Sequence, residues 1–147
     1  MKKYPEDYLK YWKVIRQYMK SKHGLTQSDL DVLLFLYSEP YFDKEKFKEF
    51  NNILSWDKYR FNDLLQDGWI ENFRKQHGTR RGIYNLSSKA KAVVRDIYRK
   101  LNGEEIPVHN SYNKMFARNV SYTDKVYRNM IIEMNAAIKQ RQRQPPE

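Results

Sequence analysis

The sequence predicts a mainly α-helical fold with a small β-hairpin, and three observations predict it. Apolar residues recur at helical spacing in several separate stretches of the 147-residue chain. Between two of these stretches, aromatic and β-branched residues flank a bend that contains Gly78 and Gly82, as a hairpin requires. The length suits one core with a terminal extension, and 40% hydrophobic with 15% aromatic residues excludes a disordered chain. No apolar run approaches the ~20 residues of a membrane span, and MKKYPEDYLKYW lacks the apolar stretch of a signal peptide. A cytoplasmic protein without membrane partner is therefore expected. The absence of cysteine removes disulfides, thiol catalysis and cysteine zinc sites.

From the N-terminus, Tyr4 to Lys22 reads as the first helix. Pro5 lies in its first turn, and Tyr8, Trp12, Ile15 and Met19 form a stripe that Tyr11 and Tyr18 widen. So broad an aromatic face is expected to meet either another subunit or the chain's own last helix. His23 and Gly24 close this helix, and Thr26 caps the next, with Asp29 three residues on as a short-armed capping box. Leu30, Leu33, Leu34 and Tyr37, with Phe35 and Leu36 at the flanks, make that helix core, and Pro40 stops it. Asp43 starts a short helix through Phe50 in which Phe47 and Phe50 face inward while lysines and glutamates alternate outside. Asn51 to Ser55 follows as a turn, since asparagine tolerates the left-handed conformation.

The remaining elements are organised by the stretch from Asn51 to Lys91. Ser55 is placed as an N-cap, and Trp56, Tyr59, Leu64 and Leu65 form the apolar face of a helix to Asp67, with Phe61 to one flank. Gly68 ends it, and strands Trp69 to Phe73 and Ile83 to Leu86 follow. Ser87 then caps a helix carrying Ala90, Val93, Val94, Ile97, Tyr98 and Leu101 up to Gly103. Helix, turn, hairpin and helix in this order predict a winged helix-turn-helix with extra N- and C-terminal helices.

From Leu25 to Leu101 the chain resembles MarR-type winged helix-turn-helix regulators. The residues that carry the resemblance are G-W-I-E-N-F from Gly68 and R-x-x-x-x-x-L-S-x-K-A from Arg80 to Ala90. Arg80 takes the place of the wing arginine and Leu86 with Ser87 that of Leu-Thr, whereas Gly78 and Ala90 stand where Asp and Gly are usual. The resemblance implies a transcription regulator that binds double-stranded DNA as a homodimer, paired through its first and last helices.

Beyond Gly103, Glu104 to Asn110 with Pro107 reads as a linker, and Ser111 as the cap of a short helix through Asn119 that buries Met115 and Phe116. A last helix from Tyr122 to about Arg141 aligns Val126, Met130, Ile131, Met134 and Ile138. The expected division is a winged-helix domain over residues 1–103, including the N-terminal helix, and a C-terminal helical extension with a basic tail over 104–147.

The net charge of +10 is segregated. Lys and Arg outnumber Asp and Glu in residues 1–23, 55–91 and 112–147, and are outnumbered in 24–54. An acidic scaffold beside a basic helix and hairpin suits a phosphate-facing surface, because phosphate neutralisation releases counterions. On the expected recognition helix, Arg60 suits a guanine edge, Asn62 or Gln66 an adenine, and Lys58 a phosphate. In the wing, Arg74, Lys75, Arg80 and Arg81 join His77 with no acid among them, and an extended hairpin can lay such residues along a minor groove. Asp57 and Asp63 on the same helix weigh against operator reading. They favour the rival expectation of a winged helix reused as a structural or interaction module of a viral particle or nucleoprotein assembly, located in virion or host cytoplasm. An RNA or replication-origin partner is a third class. The three histidines lie far apart, and no phosphate loop, nucleophile elbow or paired carboxylates appear, so neither an enzyme nor a cofactor is expected.

Overall fold

A computed structural model describes residues 6–54 and 59–143, for Ile53 and Leu54 the backbone only. Its elements are α1 (Tyr8–His23), α2 (Gln27–Leu36), α3 (Lys44–Leu54), α4 (Arg60–Gln66), β1 (Ile70–Arg74), β2 (Ile83–Leu86), α5 (Ser88–Leu101), a 3-10 turn (Lys114–Phe116) and α6 (Tyr122–Arg143). They form two compact units, one of residues 26–95 and one of residues 1–25 with 96–147. This division differs from the expected boundary at residue 103, and its physical basis is that α1 packs on α6 and on the 3-10 turn.

The unit of residues 26–95 has the winged helix-turn-helix order of three helices, a hairpin and a helix. Thr26 begins it with a full capping box: its hydroxyl accepts from the Asp29 amide at 3.1 Å, and Asp29 accepts from the Thr26 amide at 3.0 Å. Asp43 caps α3, its Oδ1 accepting from the Lys46 amide at 2.9 Å. The helix then runs past Phe50 through Asn51 and Asn52. The expected turn at the two asparagines is thus corrected, because no Gly or Pro interrupts the stretch and a helical asparagine costs only about half a kcal/mol. The expected cap Ser55 and the expected core residue Trp56 lie outside the described residues.

Antiparallel β1 and β2 pair Ile70 with Leu86 and Asn72 with Tyr84, and a bulge at Phe73 shifts the register before Arg74 pairs with Ile83. A single-residue bridge adds Phe42 to the other edge of β2: the Phe42 amide donates to the Tyr84 carbonyl at 2.9 Å and the Tyr84 amide to the Phe42 carbonyl at 2.7 Å. The sequence gives no sign of this bridge, since one residue ahead of a helix cap carries no alternation to read. It brings Phe42 beside Tyr84, and Phe61 meets both Tyr84 (4.8 Å, edge-on) and Phe47 (5.1 Å, edge-on). Phe61, expected on the flank, is therefore the central pin of α4 and is buried with Leu64, whereas Tyr59 stays exposed. Gly68, at φ +81, lets the chain reverse so that the Trp69 amide reaches the Leu64 carbonyl at 2.9 Å.

In the other unit, α1 buries Val14, Ile15, Tyr18 and Met19, so the stripe is rotated from Tyr8 and Trp12 towards Tyr18. Facing it are Ile131, Met134 and Ile138 of α6, with Met115 from the 3-10 turn. Asn135 of α6 secures the expected linker: its amide donates to the Ile106 carbonyl at 2.9 Å and its carbonyl accepts from the Ile106 amide at 3.0 Å. Asn113 rather than Ser111 caps the turn, accepting from the Met115 amide, and the helix expected up to Asn119 is only three residues long. Beneath Tyr18 lies a charged cluster in which Lys100 contacts Asp96 at 3.0 Å and Glu104 at 2.6 Å. Burial first, then the charges of Asp96 and Glu104, push the Tyr18 hydroxyl up to about 12.

Candidate nucleic-acid interface

The hairpin tip is built by a two-residue turn. His77 and Arg80 exchange backbone bonds of 3.1 and 2.9 Å around Gly78 and Thr79, and Gly78 takes φ +59, which few other residues adopt without strain. Lys75, His77, Arg80 and Arg81 are all exposed there, and from Asn72 to Gly82 the chain has no acid. Among the described residues, the side chains of Lys75 and Arg80 form no ion pair. Arg74 is held inward, its Nη2 donating to the Arg81 carbonyl across the hairpin at 3.0 Å. Arg81 points to Asp43, with Nη1 3.3 Å from Oδ2, although its side chain remains 69% exposed. The Lys46 amide foremost, opposed by burial and helped by Arg81, holds the Asp43 carboxyl below its ordinary range.

Helix α4 presents a different surface. Arg60, expected at a base edge, is turned back to α2, where Nη1 lies 2.5 Å from Asp29 Oδ1 and 3.4 Å from the Thr26 hydroxyl. Both partners of this ion pair are largely buried, so the guanidinium braces α4 against the start of α2. Its physical reason is the capping box, which fixes the Asp29 carboxylate beside the first turn of α4. Asn62 and Gln66 are exposed as expected, but Asp63 and Asp67 share that face. Asn62 also borders a cleft of about 210 Å³ whose floor is Phe47 and Phe61 and whose rim carries Lys44, Lys48 and Asn51. Lys58 lies outside the described residues.

Of the sequence-derived candidates, the fold brings Arg74, Lys75, Arg80 and Arg81 together on the wing and places Asn62 and Gln66 on α4. Sequence reasoning missed Lys89, which donates to the Asp67 carbonyl at 2.9 Å while its Nζ stands 4.0 Å above the Trp69 ring. That contact ties the end of α4 to α5. It also missed Asp43 as the partner of Arg81, a contact spanning 38 positions beside the Phe42 bridge to Tyr84. Among the described residues no three His, Asp or Glu converge as a metal site, and no helix is long and apolar enough to cross a membrane.

The elements and the hairpin define a winged helix-turn-helix lobe with a cationic wing. No protein-family model matches the chain, and no curated protein matches it. Among solved structures, the chain is similar to a mutant MarR from E. coli complexed with operator DNA. The two are 14% identical over 85% of this chain and 84% of that chain, with a TM-score of 0.45. It is also similar to the disulfide-formed AbfR, 15% identical over 94% of this chain and 88% of that chain, with the same TM-score.

Proposed function

We propose that the protein binds double-stranded DNA through its wing and acts as a transcription regulator in the manner of MarR-type proteins, as a homodimer. The observation that carries this reading is the acid-free hairpin, whose Lys75 and Arg80 have no ion-pair partner among the described residues and project from a helix-turn-helix lobe. Such a ribbon neutralises phosphates and reaches into a groove, while Asn62 and Gln66 of α4 offer amides to base edges. Arg60 is left out of this mechanism, since it already serves Asp29.

Fluorescence anisotropy of labelled duplexes across a salt series tests the reading, with sedimentation of the free protein for the dimer. Lys75→Ala with Arg80→Ala is expected to make the slope of log K against log salt shallower by about 1.8, at about 0.9 per lost phosphate contact. An unchanged slope removes the wing from the mechanism. A second reading, the winged helix as an interaction module within a larger assembly, is favoured by the α4 surface, where Asp63 and Asp67 stand beside Asn62 and Gln66. A monomer without duplex affinity supports it instead.

A further inference from the structure

Two rings at the root of the wing have no part in the core. Tyr41 is 53% exposed and Phe73 is 60% exposed, yet their centroids lie only 4.5 Å apart, tilted by 40°. The buried aromatics Phe42, Phe47, Phe61 and Tyr84 already fill the lobe without them. Each ring nevertheless sits on a fixed piece of backbone. Tyr41 directly precedes the Phe42 bridge on one edge of β2, and Phe73 is the extra residue of the bulge in β1 on the other. A bulge re-aims the side chain it carries, and here it turns Phe73 to its partner rather than into the ladder.

We infer that the Tyr41–Phe73 pair is a stacking platform for unpaired bases, giving the wing a site for single-stranded DNA at the end of a duplex. The inference rests on the reading of the wing as a DNA-contacting element. Sites for single strands combine aromatic faces, on which bases of any sequence stack, with a cationic track for the backbone. Both parts occur here in one continuous segment: Phe73 is followed by the exposed cations Lys75 and Arg80, and no acid appears between Phe73 and Gly82. The two acids closest in sequence to Tyr41, Glu39 and Asp43, are each matched by a cation, Lys46 at 4.0 Å and Arg81 at 3.3 Å. This charge complementarity selects a polyanion over an apolar protein surface as the occupant.

The test is anisotropy titration of the full chain with three probes: a blunt duplex, the same duplex carrying a short thymidine overhang, and the free thymidine strand. Stacking contributes about 1–3 kcal/mol per base, so the overhang should bind on the order of ten-fold tighter than the blunt end. Tyr41→Leu with Phe73→Leu should abolish that gain and leave blunt-duplex binding unchanged, whereas Phe73→Tyr should retain it. Circular dichroism of each variant establishes that the lobe is folded. Equal affinity for blunt and overhanging duplexes overturns the platform while leaving the wing reading intact. Binding to none of the probes overturns both, and a leucine variant that keeps the overhang gain overturns the platform alone.

Discussion

Asp43→Asn is expected to strengthen duplex binding, although it lies outside the cationic tip. The carboxylate has two separate tasks: Oδ1 caps α3 through the Lys46 amide at 2.9 Å, and Oδ2 meets Arg81 at 3.3 Å. Asparagine serves as an N-cap about as well as aspartate, so the first task survives. The second does not. Because the Arg81 side chain is 69% exposed, the lost ion pair costs stability only about 0–1 kcal/mol, plus roughly 0.3–1 kcal/mol for the missing charge at the helix start. The released guanidinium adds one cation free to meet a phosphate. The salt slope should steepen by about 0.9, so that raising salt from about 50 to about 200 mM weakens binding by a further factor of about 3.5. The assay is duplex anisotropy across that range, with Arg81→Ala made in both backgrounds. Removing Arg81 should cost more affinity when residue 43 is asparagine than when it is aspartate. An equal cost in the two backgrounds, or a slope that stays the same, refutes the idea that Asp43 restrains the wing.

Three further outcomes are expected. Arg60→Ala leaves the largely buried Asp29 carboxylate with only the Thr26 amide as partner and should lower unfolding free energy by about 2 kcal/mol in denaturant titration. Duplex affinity of the folded fraction should be unchanged, and a specific loss of affinity would return Arg60 to the interface. Tyr18 is pushed up to about 12, so the folded chain keeps its proton where the unfolded chain, at about 10, gives it up. Its contribution is therefore full below about pH 10 and is lost as pH rises through about 12, and Tyr18→Phe should flatten this part of a stability-against-pH curve. Asn135→Ala removes both bonds to Ile106, leaves two backbone groups unpaired, and should cost about 2–4 kcal/mol by thermal or denaturant unfolding. A loss under about 0.5 kcal/mol would mean that water replaces the side chain.

What was legible in the sequence is what neighbouring residues decide. The Thr26–Asp29 box, the left-handed Gly24 and Gly68, the Ser87 cap and the two glycines of the wing each act over a few positions, and each is present. Contacts distant in sequence were not legible. Arg60 reads as an outward cation on any helical projection, and only its meeting with Asp29, 31 positions away, turns it inward. Asn51 and Asn52 resemble a turn by residue type, but the helix ending at Leu54 overrides so small a local preference. Phe61 lies off the best apolar stripe until Phe47 and Tyr84 arrive from other elements to meet it. For the candidate site, charge along the sequence singles out the hairpin tip as a cationic segment. It could not reveal that two of its four basic candidates, Arg74 and Arg81, are engaged within the chain.

Helix α4 has seven residues, about half the length at which a helix in water begins to persist unaided. Its shape is borrowed: Phe61 and Leu64 anchor one side, Arg60 clamps the beginning and Lys89 the end. A synthetic peptide copying this segment would be a random coil with no grip on any target. Whatever specificity these side chains express exists only while the surrounding lobe is intact, so loss of folding and loss of recognition should coincide in one cooperative event.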